Sequence, residues 1–147
     1  KKACGLSILK HNIDGFKQSI NQIAQRLSAQ DLLPSLHIDL GLELADLNET
    51  LLFDLEALEP FGQDNPKPVF FSNNLRIKSK PALLAKDTLK FWVTDGRSAY
   101  PAVGFGMGSY LDLVRSAKEI NLAYKISRDT WNGNNQLQLE IEDIRLS

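Results

Sequence analysis

At 147 residues, 43% hydrophobic and 24% charged, the chain has the length and composition of one globular domain, or of one domain with an appendage. No apolar run approaches the ~18 residues a bilayer span needs and there is no signal-peptide pattern, so no membrane partner is expected. The single cysteine, Cys4, excludes an internal disulfide and suits a reducing, cytoplasmic location, and the net charge of −1 gives no global argument for a polyanionic ligand.

In chain order, residues 13–27 predict a helix. Ile13, Phe16, Ile20, Ile23 and Leu27 form one stripe at a 3.6-residue period, with Asn12 as N-cap and Asp14 in the first turn. The stripe either docks on a neighbouring element or stays partly exposed. Residues 36–44 alternate strictly, which places Leu36, Ile38, Leu40, Leu42 and Leu44 on one face of a strand with a buried side. A second helix follows. Asp46 and Glu49 have capping-box spacing, Asn48 is a rival cap, and Leu51, Leu55 and Leu58, with Leu52 beside them, form the stripe to be buried.

That helix ends in the stretch 58–71. Pro60, Pro66, Pro68 and Gly62 forbid a helix through it, and the residue before each proline is pushed toward extended backbone. Phe61, Val69, Phe70 and Phe71 are too apolar for a solvated loop. The stretch therefore predicts an ordered turn that packs a helix against the first strand of a β-domain, with Phe61 buried between them. Five strands follow at about 69–80, 88–94, 98–105, 119–128 and 136–145, with a short helix at 109–117 and a hairpin signal at Asp95-Gly96. In the fourth strand Ile120, Leu122, Tyr124 and Ile126 share the inward face, and Trp131 anchors the turn into the fifth. The order β-β-β-α-β-β is that of the OB-fold, a five-stranded barrel common in nucleic-acid binding. The expected fold class is thus mainly β: a five-stranded OB-fold barrel over 69–146, preceded by an α-helical segment and a strand-helix lead-in at 36–60.

The charges are unevenly distributed. Residues 36–65 hold eight acidic residues and no Lys or Arg, whereas residues 66–100 hold seven basic against two acidic, a net of +5. A basic stripe confined to one β-segment is the usual footprint of a phosphate backbone, although lysines also protect sheet edges. On the second of the five strands Leu89, Phe91 and Val93 point one way and Lys90, Trp92 and Thr94 the other. A Trp flanked by Lys on the non-core face of such a strand makes a stacking platform with phosphate contacts beside it; the competing reading packs Trp92 into an inter-element core. The candidate DNA-binding set is Arg76, Lys78, Lys80, Lys90 and Trp92, with Lys125 and Arg128 as further members.

No catalytic constellation stands out. His11 and His37 are isolated, Ser7 lacks a nucleophile-elbow motif, and Cys4 reads as a small packed residue. Asp39 and Glu43 share a strand face but lack the clustered partners that two-metal hydrolysis needs.

Four motifs carry a resemblance. Leu58-Glu59-Pro60-Phe61-Gly62-x-x-Asn65-Pro66-x-Pro68-Val69-Phe70, Gly104-Phe105-Gly106-Met107, Trp131-Asn132-Gly133 with Leu137-Gln138-Leu139, and Asp143-Ile144-Arg145 resemble, in order, segments of the RecJ family of single-strand-specific DNA exonucleases. Ala3-Cys4-Gly5 looks like the end of the motif that closes the DHH-associated domain of that family, with Cys where Ala is usual. The resemblance implies a remnant of that domain at 1–33 and an OB-fold domain at 34–147. It also implies a parent enzyme that degrades single-stranded DNA 5′ to 3′ in recombination and repair. That enzyme would use Mn2+ or Mg2+ held by its N-terminal DHH domain, so no catalytic or metal residue is expected in this chain. The expected partners are single-stranded DNA and the DHH domain. The competing function is a protein-interaction module docking a partner such as single-strand-binding protein.

Overall fold

The computed structural model describes residues 5–28, 33–130 and 135–147. Trp131, Asn132, Gly133 and Cys4 lie outside the described residues. The chain divides into two compact units, Lys1–Leu36 and His37–Ser147. Among the described residues no helix is long and apolar enough to cross a membrane.

Among the described residues of the first unit, α1 (Ile13–Ala24) is entered through a 3-10 turn at Lys10–Asn12. That turn occupies the place where a cap was expected, and the Asn12 side chain makes no capping hydrogen bond. No residue of α1 is buried; Ile20 and Ile23 of the apolar stripe are exposed, as is Leu27 just beyond the helix.

In the second unit the expected long strand at 36–44 shrinks to the two-residue β1 (Leu40–Gly41), parallel to the start of β2 (Phe70–Ile77). Leu36, Ile38 and Leu40 are exposed, Leu42 is half-buried against the core, and Leu44 is buried in it, from a 3-10 turn at Leu44–Asp46. Alternation showed which residues share a face but not whether anything would cover it. The following helix, α2 (Glu49–Glu56), is capped by Asn48, whose side chain accepts the Leu51 N–H at 2.8 Å. The capping-box alternative at Asp46 is not used. Leu52 and Leu55 are buried, Leu51 is half-buried and Leu58 is exposed, so the core stripe is rotated from the one expected.

The stretch after α2 is an ordered turn. The Asn65 amide donates to the carbonyls of Leu58 (2.9 Å) and Pro60 (3.1 Å), and the Gly62 N–H donates to the Asn65 carbonyl at 2.8 Å. Asp39 ties the end of the turn to the lead-in, its carboxylate accepting the Val69 N–H at 2.8 Å. Val69 and Phe70 are buried as expected. Phe61 is only half-buried: it lines a small pocket with Leu52, Leu55, Ile126 and Arg128 rather than filling a core.

The remaining strands are β3 (Ala82–Leu84), β4 (Thr88–Thr94), β5 (Ala99–Gly104), β6 (Glu119–Asp129) and β7 (Gln136–Leu146), with α3 (Leu111–Ser116) between β5 and β6. The sheet order is β1-β2-β6-β7-β5-β4-β3. A further pairing of β2 with β4, Arg76 opposite Thr94 and Ile77 opposite Val93, joins β2-β6-β7-β5-β4 into a ring of five, the OB arrangement. Register shifts in β2 between Ser72 and Leu75, where Asn74 has φ 54°, and in β7 between Ile141 and Asp143, opposite Ala123 and Tyr124, supply the bends that ring closure needs. Inside the ring lie Leu75, Leu89, Phe91, Val93, Ile120, Leu122, Tyr124, Ile126 and Leu139, none more than 1% exposed. Tyr124 keeps its hydroxyl satisfied by Ser72 at 2.8 Å, and burial pushes its pKa up to about 12. The Tyr100 hydroxyl donates to the Leu47 carbonyl, which fastens the lead-in to β5.

Candidate nucleic-acid interface

The site is built on the outward side of β4. Alternation puts Lys90, Trp92 and Thr94 opposite the core residues Leu89, Phe91 and Val93. Across the antiparallel ladder Lys90 faces Val103, Trp92 faces Pro101 and Thr94 faces Ala99, so Trp92 is neither open nor enclosed but half-buried against a proline. On the other flank the Lys78 N–H donates to the Trp92 carbonyl at 2.8 Å, and the Ser79 hydroxyl accepts the Trp92 N–H at 2.9 Å. This pairing places Lys78 beside Trp92 and Arg76 beside Thr94 on one face. Arg76, Lys78 and Lys80 are exposed, and none forms an ion pair with a described residue. The hairpin tip abuts this row, since a Cβ on Gly96 (φ +98°) would come 2.7 Å from the Arg76 guanidinium. The hairpin is itself tied by the Asp95 carboxylate, which accepts the N–H groups of Arg97 (2.8 Å) and Ser98 (2.7 Å). Burial pushes the Asp95 carboxyl up, but those backbone hydrogen bonds outweigh it and hold the pKa below the usual carboxylate range.

At the Thr88 end of β4 the face opens into a groove of about 710 Å3. One wall is the turn joining β3 to β4, with Leu84, Lys86 and Thr88; Lys90 and Val103 form the floor; Phe105 stands at the lip, and Arg128, Asp129, Thr130 and Gln138 lie opposite. Lys90 does not project freely into it: its ammonium sits 3.0 Å from Asp129, with both side chains partly covered. Lys86 is exposed and makes no ion pair with a described residue.

The last two candidates are set apart from that row by their partners. Lys125 meets Glu142 at 2.6 Å across the β6–β7 ladder. Arg128 is gripped by two carboxylates of α2, Glu49 at 2.7 Å and Glu56 at 3.0 Å, and their hydrogen bonds raise its already high pKa further. The structure thus aligns Arg76, Lys78, Trp92 and Lys90 on one face, places Lys80 on the exposed segment after β2, and commits Lys125 and Arg128 to intramolecular carboxylates.

The sequence alone did not point to β3, or to Lys86, Leu84 and Phe105 as groove residues. The turn after β3 holds Lys86 and Asp87 in left-handed backbone, both at φ 57°; Asp tolerates that conformation but Lys gives no signal of it, and no glycine marks the turn. Phe105 had a signal, since it stands between two glycines in a quoted motif. Among the described residues, no group of three or more His, Cys, Asp and Glu side chains is placed to hold a metal ion.

The five-stranded ring, with its short helix between the third and fourth of those strands, is the architecture of an OB-fold domain. The RecJ OB domain model matches residues 38–143, and the chain belongs to that family. It is 25% identical over 147 residues to the single-stranded-DNA-specific exonuclease RecJ of Bacillus subtilis (strain 168), covering 99% of this chain and 19% of that protein. It is 26% identical over 145 residues to the protein of the same name from Salmonella typhimurium, covering 97% and 25%. Two crystal structures of RecJ from Thermus thermophilus share the fold. The complex with Mn2+ has a TM-score of 0.73 at 20% identity over 97% of this chain and 20% of that one; the complex with Mg2+ has 0.70 at 21% over 96% and 21%. The chain spans about a fifth to a quarter of the length of these relatives.

Proposed function

We propose that this chain is the single-stranded-DNA-binding portion of a larger RecJ-like exonuclease. In this reading residues 1–33 belong to its DHH-associated domain and 34–147 form its OB-fold domain. The strand is gripped here, and hydrolysis proceeds 5′ to 3′ at Mn2+ or Mg2+ held by the DHH domain of the same enzyme, in cytoplasmic recombination and repair. The metals named for the Thermus thermophilus relatives support the cofactor.

One observation carries the binding role. The exposed cations Arg76, Lys78, Lys80 and Lys86 flank Trp92 and Lys90 along the β4 side of the barrel, where OB-folds take up oligonucleotides. Unpaired cations release counterions when they meet phosphates, and an aromatic face accepts any base, so affinity is salt-dependent and indifferent to sequence. Lys125 and Arg128 hold strands and helix together instead. Anisotropy titration of labelled single-stranded oligonucleotides at two salt concentrations tests this: affinity is expected to fall steeply with salt and little with base composition. Incubation with Mn2+ is expected to leave the oligonucleotide intact. Metal-dependent cleavage that survives substitution of Asp39 and Glu43 would show a nuclease site within this chain.

A further inference from the structure

We propose that Phe105 is the base-stacking residue that makes the groove select an unpaired strand, an inference that rests on the DNA-binding reading above. A single exposed phenylalanine is ordinary on a protein surface. What distinguishes Phe105 is that Gly104, Met107 and Gly108 around it are held by close contacts while it is displayed. Gly104 is buried, and a Cβ there would come 2.6 Å from the Met107 sulfur, so Met107 folds back over it. Gly106 sits at φ +68°, which favours glycine. The Met107 N–H donates to the Asp87 carbonyl at 3.0 Å, and a Cβ on Gly108 would lie 1.9 Å from the Asp87 carboxylate. The turn 104–108 is therefore locked against the turn that carries Lys86. Phe105 at its tip remains 63% exposed, at the lip of a groove whose other residues include Leu84, Lys86 and Lys90.

This arrangement offers a nucleotide two kinds of contact. The ring and Leu84 present an apolar platform, and the exposed Lys86 beside them offers its charge to a phosphate of the same strand. A base in a duplex has both faces covered by its neighbours, whereas a base in a single strand can leave them for the ring. Stacking on Phe105 thus adds affinity for the single strand alone and leaves the electrostatic attraction common to both forms unchanged.

The test compares the chain with Phe105→Ala, Phe105→Leu and Phe105→Trp on labelled oligo(dT), on a duplex of equal length and on an abasic strand. Because the ring is exposed, the variants are expected to melt like the parent, and Phe105→Leu keeps the apolar bulk without the aromatic face. Phe105→Ala and Phe105→Leu are expected to weaken oligo(dT) binding about ten-fold, within the range for one stacked base. Phe105→Trp is expected to bind at least as well as the parent. Duplex and abasic affinities, and the salt dependence, stay as in the parent. Unchanged oligo(dT) binding by Phe105→Ala, or an equal loss on the abasic strand, overturns the stacking role while leaving the groove as a DNA site. Failure of the parent chain itself to bind oligo(dT) in a salt-dependent way overturns the DNA-binding reading and this inference together.

Discussion

Two sides of the barrel use the same kinds of residue to opposite ends. Where α2 packs, Leu52 and Leu55 enter the core and the nearby cation, Arg128, is clamped between Glu49 and Glu56. Along β4 and its groove, Trp92 and Lys90 are half-buried, Phe105 and Leu84 are exposed, and Arg76, Lys78, Lys80 and Lys86 have no carboxylate partner among the described residues. The first side is chemically closed and adds stability. The second keeps apolar surface and charge available to something outside the chain. The difference teaches that a count of cations on a strand overstates a binding site, because an ion pair already made leaves little charge for phosphate.

The largest effect is expected on the closed side. Leu52→Ala should cost about 2–5 kcal/mol in a denaturant melt, the range for a truncated core leucine, with no direct effect on the groove. Phe61→Ala, at the half-buried rim of the same region, should cost only about 1 kcal/mol. A Phe61 cost as large as that of Leu52 would mean that the turn after α2 closes more tightly than its exposure implies.

The contrast in charge is sharpened by salt titrations. Lys86→Ala and Lys78→Ala should each lower the slope of log affinity against log salt by about 0.7, the single-strand value per phosphate contact. Arg128→Gln should leave the slope nearly unchanged and lower the melting temperature, since its partners are Glu49 and Glu56. A slope loss with Arg128→Gln equal to that with Lys86→Ala would erase the distinction between the two sides.

The smallest expected effect is at the hairpin beside Arg76. The Asp95 pKa is depressed in the folded state, so its contribution to stability is present above the ordinary carboxylate range and is lost as pH falls through the folded value. Asp95→Asn should therefore lower the melting temperature slightly near neutrality and change it little in acid, which flattens the acid limb below about pH 4. An unaltered acid limb would assign the acid sensitivity to other carboxylates.

Particular elements show what was legible in the sequence. The inward set of β6, Ile120, Leu122, Tyr124 and Ile126, was readable because a period of two with one buried side leaves a clean alternating pattern. The hairpin at Asp95-Gly96 and the proline-rich turn after α2 were readable because their backbone demands restrict residue type. The alternation at 36–44 misled because covering a face requires a partner strand, and only Leu40 and Gly41 pair with one. The short β3 was missed because its turn has Lys86 at the first left-handed position and no glycine to announce it.

The sequence by itself determined the order of strands and the inner and outer faces of β4, because these follow from local periodicity and turn chemistry. Only the tertiary structure decided which cations stay available. Lys90 meets an aspartate 39 residues away and Arg128 a glutamate 72 residues away, and Coulombic pairing depends on distance in space, which strand register and helix docking set.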